Sequence, residues 1–245
     1  MKSSKMNLSS SILHSIQAHA PLLVVLVDPD KECYHKLCPY LQDVDMVFVG
    51  GSTGGNVDAC VAHLRKSTSA PIVLFPGNAQ QFTSSVDAVL FLTLLNSRRS
   101  EVLIEPHLQS AMAIHQSGVE AIPMGYVLVD GERKSAVEIV SHCTPVDRDA
   151  VDQIVCYSVT AQLLGKQLVY LEAGSGANTP ISQEVIRAVR EQIAIPLIVG
   201  GGIRTIEQMA AAYVAGADVV VIGNHFEQHA DELPNFIKHK RDICR

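Results

Sequence analysis

Eight short apolar runs, separated by segments that can form helices, constrain this chain more than any other feature. The first run, residues 21–27, reads PLLVVLV and shows no alternation of apolar and polar residues. Such a run is typical of a strand in a parallel sheet that is covered on both faces. Seven further runs follow at 46–49, 71–75, 88–92, 120–129, 167–172, 196–199 and 218–222. The pattern therefore predicts an α/β fold with eight parallel strands.

A (β/α)8 TIM barrel and an open doubly wound sheet both fit this pattern. The barrel is favoured because the glycine-rich and polar clusters come directly after the runs, and a barrel carries its functional groups at the carboxyl ends of its strands. No G-x-G-x-x-G motif follows the first run, which argues against a dinucleotide-binding sheet. The 245 residues suit a single barrel domain spanning 1–245. The connection at 76–87 is short and a poor helix former, so we expect a reduced third helix.

The segments between the runs predict the remaining elements. Helical patterns cover 1–20, 31–41, 57–66, 101–116, 150–164 and 226–240. A further helix is expected to begin at Thr179-Pro180, and another at the capping box formed by Thr205 and Gln208. The polar stretch 130–149 is expected to be a loop or an arm.

Composition places the chain among globular proteins and excludes some partners. Hydrophobic residues make up 47% and charged residues 18%, and the net charge is −6, so a general affinity for nucleic acid is not expected. The six cysteines form no C-x-x-C pair, which indicates free thiols in a reducing compartment. The apolar runs are far shorter than the ~18 residues of a membrane span, and residues 1–10 lack a secretory pattern. We expect a cytoplasmic protein, and peripheral contact with a membrane stays open.

Three glycine-rich turns predict a phosphate site. They read YLEAGSGA at 170–177, GGG at 200–202 and GN at 223–224, and each follows one of the last three runs. Glycine lets backbone N–H groups approach an anion, and the start of a helix adds about half a positive charge. Barrels use the loops after strands seven and eight to bind phosphate. We expect one phosphorylated small molecule here; the alternative is that the glycines only form tight turns.

Glu172 and Tyr170 are the candidate catalytic residues. Both lie at the end of the sixth run, directly before the glycine-rich turn. A carboxylate at this position can accept a hydrogen bond from a ligand hydroxyl and remove its proton, and the tyrosine can donate to the same ligand. The alternative for Glu172 is a structural ion pair at the strand end.

Asp28 and Ser52 are the candidate Mg²⁺ ligands. They follow the first and second runs, whose ends are neighbours in a barrel. Their oxygens suit Mg²⁺, which usually keeps several waters and takes further oxygens from a bound phosphate. The alternatives are a turn residue before Pro29 for Asp28 and a helix or turn cap for Ser52. Asp30 is a second candidate for the carboxylate.

Three other groups carry weaker signals. His225 and His229 share a helical face but are more typical of a solvated face than of a zinc site. Arg98 and Arg99 either meet a diphosphate or belong to an exposed loop. The third group consists of aromatic side chains that we expect in the core rather than against a ligand: Phe82, Phe91 and Tyr126.

With these residues assembled, the chain resembles the geranylgeranylglyceryl phosphate synthase family, which also includes heptaprenylglyceryl phosphate synthases. The resemblance covers nearly the whole chain, and its motifs occur in order: VDPDK at 27–31, VGGS at 49–52, LFPGN at 74–78, YLEAGSGA at 170–177, VGGGIRT at 199–205 and IGN at 222–224. YLEAGSGA is specific, whereas GGG-I-R is shared with many phosphate-binding barrels. The EAGSGA variant resembles the second of two archaeal-type groups, which also has bacterial members.

The resemblance implies a Mg²⁺-dependent prenyltransferase of phospholipid biosynthesis. Such an enzyme joins sn-glycerol 1-phosphate to a polyprenyl diphosphate, here geranylgeranyl diphosphate, through an ether bond. By the same resemblance, Glu172 orients and deprotonates the attacking hydroxyl, and Asp28 and Ser52 bind Mg²⁺. The implied glycerol 1-phosphate site consists of Tyr170, Leu171, Glu172, Ala173, Gly174, Ser175, Gly176, Gly201, Gly202, Gly223 and Asn224.

The chain departs from the family pattern at 96–100, which reads NSRRS where an S-G-R-(N/D)-P type of segment is expected. The diphosphate contacts of that segment therefore do not carry over directly. Members of the family form dimers or hexamers, so the resemblance also implies a homo-oligomer.

Two functions of other classes stay open on the residues alone. One is a sugar-phosphate isomerase or lyase, which needs a catalytic Asp pair or a Lys and no long apolar groove. The other is a non-catalytic sensor that binds glycerol phosphate. A prenyltransferase needs an apolar groove for its tail, and the sequence does not show which residues line it. The lack of a D-D-x-x-D motif argues against a chain-elongating prenyltransferase.

Overall fold

Eight parallel strands close into a barrel. The computed structural model describes residues 11–31, 34–51 and 55–243. The strands are β1 Leu22–Val27, β2 Met46–Val49, β3 Ile72–Leu74, β4 Ala88–Leu94, β5 Glu120–Leu128, β6 Leu168–Glu172, β7 Leu197–Gly200 and β8 Val219–Ile222. Each strand pairs with the next, and β8 pairs with β1. The predicted (β/α)8 barrel is confirmed.

Most of the helices lie outside the sheet, whereas Ile12 and Ile16 of the first one pack against the interior residues of the barrel. They are α1 Ile12–His19, α2 Tyr34–Leu37, α3 Val57–Leu64, α4 Ser100–Leu103, α5 Glu105–Ser117, α6 Ala136–Ser141, α7 Val151–Leu163, α8 Gln183–Gln192, α9 Ile206–Ala215, α10 Asn224–Gln228 and α11 Leu233–Ile243. Short 3₁₀ helices occur at Cys38–Asp43, Ala79–Gln81 and Ala230–Glu232. The Thr205–Gln208 capping box is present at the start of α9.

The connection between β3 and β4 contains only the 3₁₀ helix Ala79–Gln81, so the expected reduction of the third helix is confirmed. Side-chain bonds fix the short path. The buried Gln81 amide accepts from the Gly77 N–H at 2.6 Å and donates to the Gly51 carbonyl at 2.8 Å. Asn78 caps the turn by accepting from the Gln80 N–H at 3.0 Å. The outer faces of β3 and β4 are therefore not covered by a full helix.

The helix expected to begin at Thr179-Pro180 starts later in the structure. α8 begins at Gln183 after a Ser182 cap, not at Thr179-Pro180. The Thr179 hydroxyl donates to the Glu132 carboxylate, and the Asn178 N–H donates to the Gly131 carbonyl at 2.9 Å. These bonds hold 178–180 against the preceding loop, so the helix starts later.

The stretch 130–149 is not only a loop. It contains α6, and Val146 forms a parallel bridge with Val129 at the end of β5. The expected last helix, 226–240, is also divided into α10, a 3₁₀ turn and α11. His229 has φ −131° and ψ 57°, a non-helical conformation that ends α10.

Alternation along the strands gives two apolar layers. Val25, Val47 and Leu171 face the helices, whereas Val24, Phe48 and Tyr170 fill the barrel interior. The ring centroids of Phe75 and Tyr170 lie 5.4 Å apart, and those of Tyr126 and Tyr170 lie 5.3 Å apart. These aromatic rings form a floor near the carboxyl ends of the strands. Since alternate residues of a strand share a face, Glu172 points inward above Tyr170.

We expect Phe48→Ala to reduce the free energy of unfolding by about 3–5 kcal/mol, because the substitution leaves a cavity in the barrel interior. Phe48 is 0% exposed, whereas Leu163 on α7 is 80% exposed. Leu163→Ala is the matched control and should change stability by less than about 0.5 kcal/mol. Urea denaturation measures both, and equal losses would contradict the assigned packing.

Candidate active site

The carboxyl ends of the strands open into a cavity of about 710 Å³. Ligand pockets in proteins commonly have volumes of about 300–1,000 Å³. The cavity is lined by members of nearly every cluster that the sequence singled out, among them Asp28, Gly51, Glu172, Gly201 and Asn224. The barrel therefore brings these distant segments to one site, as expected.

The first two glycine-rich turns pack directly against each other. Gly174, Gly176, Gly201 and Gly202 have φ values of 99°, 76°, 82° and 73°, which favour glycine. A Cβ on Gly201 would lie 2.5 Å from Glu172 Oε1 and 2.8 Å from the Gly174 nitrogen. Backbone can approach backbone here only because the side chains are missing.

The third turn joins through side chains. Asn224 Nδ2 donates to Ser175 Oγ at 3.1 Å, and Ser175 Oγ lies 3.3 Å from Asn224 Oδ1. Gly223 is the N-cap of α10, so this helix begins two residues before the expected Phe226. All three turns thus meet around one end of the cavity.

Glu172 lies between these turns and is only 7% exposed. Its Oε1 accepts from the Gly174 N–H at 2.8 Å. Burial raises its pKa to about 7, although the Tyr170 hydroxyl and the Gly174 N–H act in the opposite direction. The alternative role of Glu172, a structural ion pair at the strand end, is not supported. No basic side chain among the described residues pairs with Glu172. Near neutral pH the carboxyl group can therefore both give and take a proton.

Tyr170 lies below Glu172 and is fully buried. A Cβ on Gly200 would lie 2.2 Å from its hydroxyl and 2.9 Å from Glu172 Oε2, so the two groups share one corner. Among the described residues the hydroxyl has no hydrogen-bond partner of good geometry. Burial, followed by the charge of Glu172, raises the pKa of Tyr170 well above its usual value, so it stays protonated.

Asp28 lines the opposite side of the mouth, at the end of β1. Its Oδ1 accepts from the Asp30 N–H at 3.0 Å, and a Cβ on Gly51 would lie 2.3 Å from the same atom. Asp30 does not line the cavity, because its carboxylate is directed at Gly55. Of the two aspartates, only Asp28 lines the cavity. Ser52, the other candidate ligand, lies outside the described residues.

The donor set at Asp28 fits Mg²⁺ better than it fits a metal held by protein alone. Within the described part of the chain, no three His, Cys, Asp or Glu side chains cluster around a common point. Mg²⁺ is usually bound by one or two carboxylates, with substrate phosphates and water completing its shell. Asp28, about one-fifth exposed at its side chain and facing the cavity, is of this kind.

The cavity continues from the mouth to the outer side of β4, beside the reduced connection. Apolar side chains from that connection, from β4 and from α5 line its far part: Phe82, Val89, Phe91 and Ile114. Tyr126 is buried in the core, and Phe82 and Phe91 pack against it, as expected; all three also line the cavity. The short connection at 76–87 was the signal that could have located this groove.

The remaining candidates are an arginine pair and a histidine pair, and the members of each pair differ in their surroundings. Arg99 lines the cavity, whereas Arg98 does not and donates to the Tyr157 hydroxyl at 3.2 Å. The solvated face predicted for the histidines is wrong for His225, whose side chain is 10% exposed and lies 2.9 Å from Glu232. A residue that the sequence did not single out, Lys31, also lies at the mouth.

The sequence profile of the PcrB family matches residues 15–240 of this chain. The chain belongs to the PcrB family. A geranylgeranylglyceryl phosphate synthase of Zunongwangia profunda is 44% identical over 223 residues, which cover 89% of this chain and 95% of that relative. Another from Korarchaeum cryptofilum is 38% identical over 224 residues, covering 89% and 92%. This PcrB-family protein is an enzyme of the prenyltransferase class, and the resemblance seen in its motifs is confirmed.

Solved structures share the barrel of this PcrB-family chain. The (S)-3-O-geranylgeranylglyceryl phosphate synthase of Thermoplasma acidophilum, in complex with its substrate sn-glycerol-1-phosphate, has a TM-score of 0.86 at 29% identity. The match covers 95% of this chain and 99% of that one. The N-acetylmannosamine-6-phosphate 2-epimerase of Clostridium perfringens, with a TM-score of 0.58 and 13% identity, shares the fold alone. The isomerase, lyase and sensor alternatives lose their support.

The raised pKa of Glu172 makes stability depend on pH. In the unfolded chain the carboxyl group has its usual pKa near 4.5, so between pH 4.5 and about 7 only the folded state keeps the proton. The free energy of unfolding should therefore fall as pH rises through this window, by about 1.4 kcal/mol for each pH unit.

Glu172→Gln removes the ionisation and should be more stable than the original chain at pH 8, with the difference vanishing below pH 4.5. Glu191→Gln, an exposed substitution on α8, is the control and should leave the pH dependence unchanged. Urea denaturation at each pH measures these differences. Equal pH profiles for the original chain and Glu172→Gln would contradict the burial argument.

Proposed function

We propose that this enzyme transfers a polyprenyl group, geranylgeranyl, from its diphosphate to a hydroxyl of sn-glycerol 1-phosphate, forming an ether bond. The observation that carries the proposal is the buried Glu172 carboxyl, set among three converging glycine-rich turns at one end of an apolar cavity. The names of the relatives and the glycerol phosphate bound by the Thermoplasma acidophilum enzyme support it.

The glycerol phosphate is assigned to the end of the cavity at β6, β7 and β8. Backbone N–H groups at side-chain-free turns bind phosphate without needing a positive side chain. The proposed binding residues are Tyr170, Leu171, Glu172, Ala173, Gly174, Ser175, Gly176, Gly201, Gly202, Gly223 and Asn224. Leu171 and Ala173 face outward and are buried, so only their backbone can take part.

Glu172 is the proposed base, and its pKa of about 7 suits that task at neutral pH. Oε1 stays on the Gly174 N–H, which fixes the carboxylate so that the glycerol hydroxyl can donate to it. The Tyr170 hydroxyl stays protonated, lies at the same corner, and can donate a hydrogen bond to the same ligand. The hydroxyl oxygen bonds to the allylic carbon, the proton passes to Glu172, and the electron pair of the broken C–O bond leaves with the diphosphate.

Asp28, together with Ser52, is the proposed Mg²⁺ site. Bound there, Mg²⁺ would neutralise charge on the diphosphate and make it a better leaving group. Because β1 pairs with β8, a diphosphate held at Asp28 would lie beside the last strands. The two substrates then meet near the middle of the mouth, and the role of the fold is to hold them in position there.

The prenyl tail is assigned to the groove beyond Phe75. Each CH₂ removed from water there contributes about 0.8 kcal/mol. Phe82, Phe91 and Ile114 line the far part, where the third helix is reduced.

The oligomeric state and the location are also proposed rather than measured. We propose a homo-oligomer, a dimer or a hexamer. Ile104, Leu108 and Met112 follow one another at four-residue spacing, from the end of α4 along α5. They are 53%, 66% and 62% exposed, which leaves an apolar stripe for a partner surface.

The described cysteines 38, 60, 143 and 156 are unpaired, in keeping with a cytoplasmic protein. None of the described helices is both long and apolar enough to cross a membrane; peripheral contact with a membrane is proposed from the lipid nature of the product.

A transfer assay tests the function. Radiolabelled sn-glycerol 1-phosphate is incubated with Mg²⁺ and prenyl diphosphates of several lengths, and label is counted in the organic phase. We expect label with the geranylgeranyl donor, its loss after chelation, and its return with added Mg²⁺. Glu172→Gln should lower the rate by at least about a hundredfold, as expected for loss of a general base. Organic-phase counts that stay at background for every donor would overturn the proposal.

Gly201→Ala tests the phosphate position. The new Cβ would push on Glu172 Oε1 and on the nitrogens of Ala173 and Gly174, so the turns must separate. Calorimetry should show at least about a tenfold loss of glycerol 1-phosphate affinity, which equals about 1.4 kcal/mol. Gly118→Ala is the matched control, since its φ is 72° but nothing lies within 4 Å of the new Cβ. Unchanged binding by Gly201→Ala would place the phosphate elsewhere.

A further inference from the structure

The mouth of the cavity must hold two anions, a phosphate and a diphosphate, at close range. Three lysine or arginine residues among the described residues line the cavity: Lys31, Arg99 and Arg204. Arg204 is bonded to the carbonyl oxygens of Ala177, Asn178 and Gly202, so it supports the turns. Arg99 lies at the rim, about half exposed, and pairs with Glu101 at 3.7 Å. Lys31 alone of the three lies between the two proposed anion positions.

Lys31 Nζ contacts residues from both sides of the mouth. It lies 3.7 Å from Oδ2 of Asp28, the proposed metal ligand at the end of β1. It also donates to Asn224 Oδ1 at 3.3 Å, and the same oxygen accepts from Ser175 Oγ at 3.3 Å. The ammonium group is therefore connected to the metal side through Asp28 and to the phosphate side through Asn224.

Glu227 fixes this position. Both of its carboxylate oxygens accept from Lys31 Nζ, at 3.0 and 2.8 Å. The Glu227 side chain is only 10% exposed, whereas that of Lys31 is 40% exposed. Glu227 belongs to α10. The Glu227 backbone N–H donates to the Gly223 carbonyl at 3.2 Å, which closes the first turn of this helix. A lysine side chain is flexible, so a buried carboxylate that holds its end reduces the entropy lost on binding an anion.

We propose that Lys31 is a further catalytic residue that binds the diphosphate leaving group beside the glycerol phosphate, and that Glu227 positions it. This inference rests on the function proposed above. When the C–O bond breaks, both electrons stay on the leaving oxygen, and the ammonium group stabilises the charge that develops there. The hydroxyl proton still goes to Glu172, and Lys31 keeps its own protons throughout.

The alternative is that the Lys31–Glu227 pair only joins the loop after β1 to α10 and has no contact with substrate. An exposed or half-exposed ion pair contributes little to stability, about 0–1 kcal/mol. The two accounts differ in what they predict for diphosphate binding, so binding must be measured apart from turnover.

Lys31→Met keeps the length of the side chain and removes the charge. Calorimetric titration with inorganic pyrophosphate and Mg²⁺ should show at least about a tenfold loss of affinity, because charge-assisted hydrogen bonds are lost. The KM for the prenyl diphosphate should rise by a similar factor and kcat should fall, with a smaller change in the KM for glycerol 1-phosphate. Lys31→Arg should restore affinity to within about threefold, since the charge returns.

Lys238→Met, an exposed substitution on α11 away from the cavity, is the matched control and should change none of these values. Circular dichroism melting curves establish whether each variant is folded. If Lys31→Met is unfolded, Lys31→Gln, which also removes the charge, takes its place in the titration, and equal pyrophosphate binding by folded Lys31→Gln would likewise overturn the inference. Pyrophosphate binding that is equal in a folded Lys31→Met would overturn the inference.

Glu227→Gln tests the positioning role. It should weaken pyrophosphate binding by about threefold to tenfold, and the double variant with Lys31→Met should be no weaker than Lys31→Met alone, because residues that act as a unit are not additive. Fully additive losses, or tighter pyrophosphate binding by Glu227→Gln, would overturn this role. A failure of the proposed function is distinguishable, since the original chain would then produce no organic-phase label at all.

Discussion

The buried carboxyl group of Glu172 is the constraint on which the rest of the site depends. A carboxylate taken out of water is costly unless hydrogen bonds replace the lost hydration. Here one bond, from the Gly174 N–H, is in place, and the pKa remains raised to about 7. The site therefore holds a destabilised carboxyl group that can take up a proton near neutral pH, a kind of group that is common at active sites. Gly200 and Gly201 make this burial possible, because a Cβ at either position would collide with the carboxylate.

The loop after β5 supports this arrangement from outside. The Asn178 N–H donates to the Gly131 carbonyl, and a Cβ on Gly131 would lie 2.1 Å from the Ala173 carbonyl oxygen. Arg204, in turn, donates to the carbonyl oxygens on either side of the Ala177–Asn178 peptide bond. The turn that carries the proposed phosphate contacts is thus fixed between two neighbouring loops rather than by its own sequence alone. Such a second layer of contacts is what keeps reacting groups within a fraction of an ångström of their working positions.

Much of the barrel was predictable because its strands are uniformly apolar and end in distinctive turns. Runs such as 21–27 identified the strands, and Asp28, Glu172, Gly201 and Asn224 were singled out because each lies at or just after the end of one; all four line the cavity. What failed depends on contacts between loops. The start of α8 is delayed by bonds from Asn178 and Thr179 to the loop at 131–132, and α6 lies in a stretch whose composition is typical of a loop.

The sequence could not show that aromatic residues of the core would also line the cavity, and the reason is related. Phe91 faces outward from β4, and periodicity alone assigns an outward apolar residue to the layer under a helix. Whether a helix actually covers it depends on the reduced connection between β3 and β4. The shortness of 76–87 was visible in the sequence, but the groove that it leaves open became apparent only in the assembled barrel.

The groove beside the reduced connection lies on the outer side of β4, whereas the glycine-rich turns lie at the strand ends. A polar ligand head at those turns and an apolar tail that follows the groove toward Phe91 and Ile114 would therefore contact opposite sides of the sheet. Lipid length and headgroup chemistry can therefore diverge independently in this architecture. Substitutions on α5 or in the short connection would change one without disturbing the other.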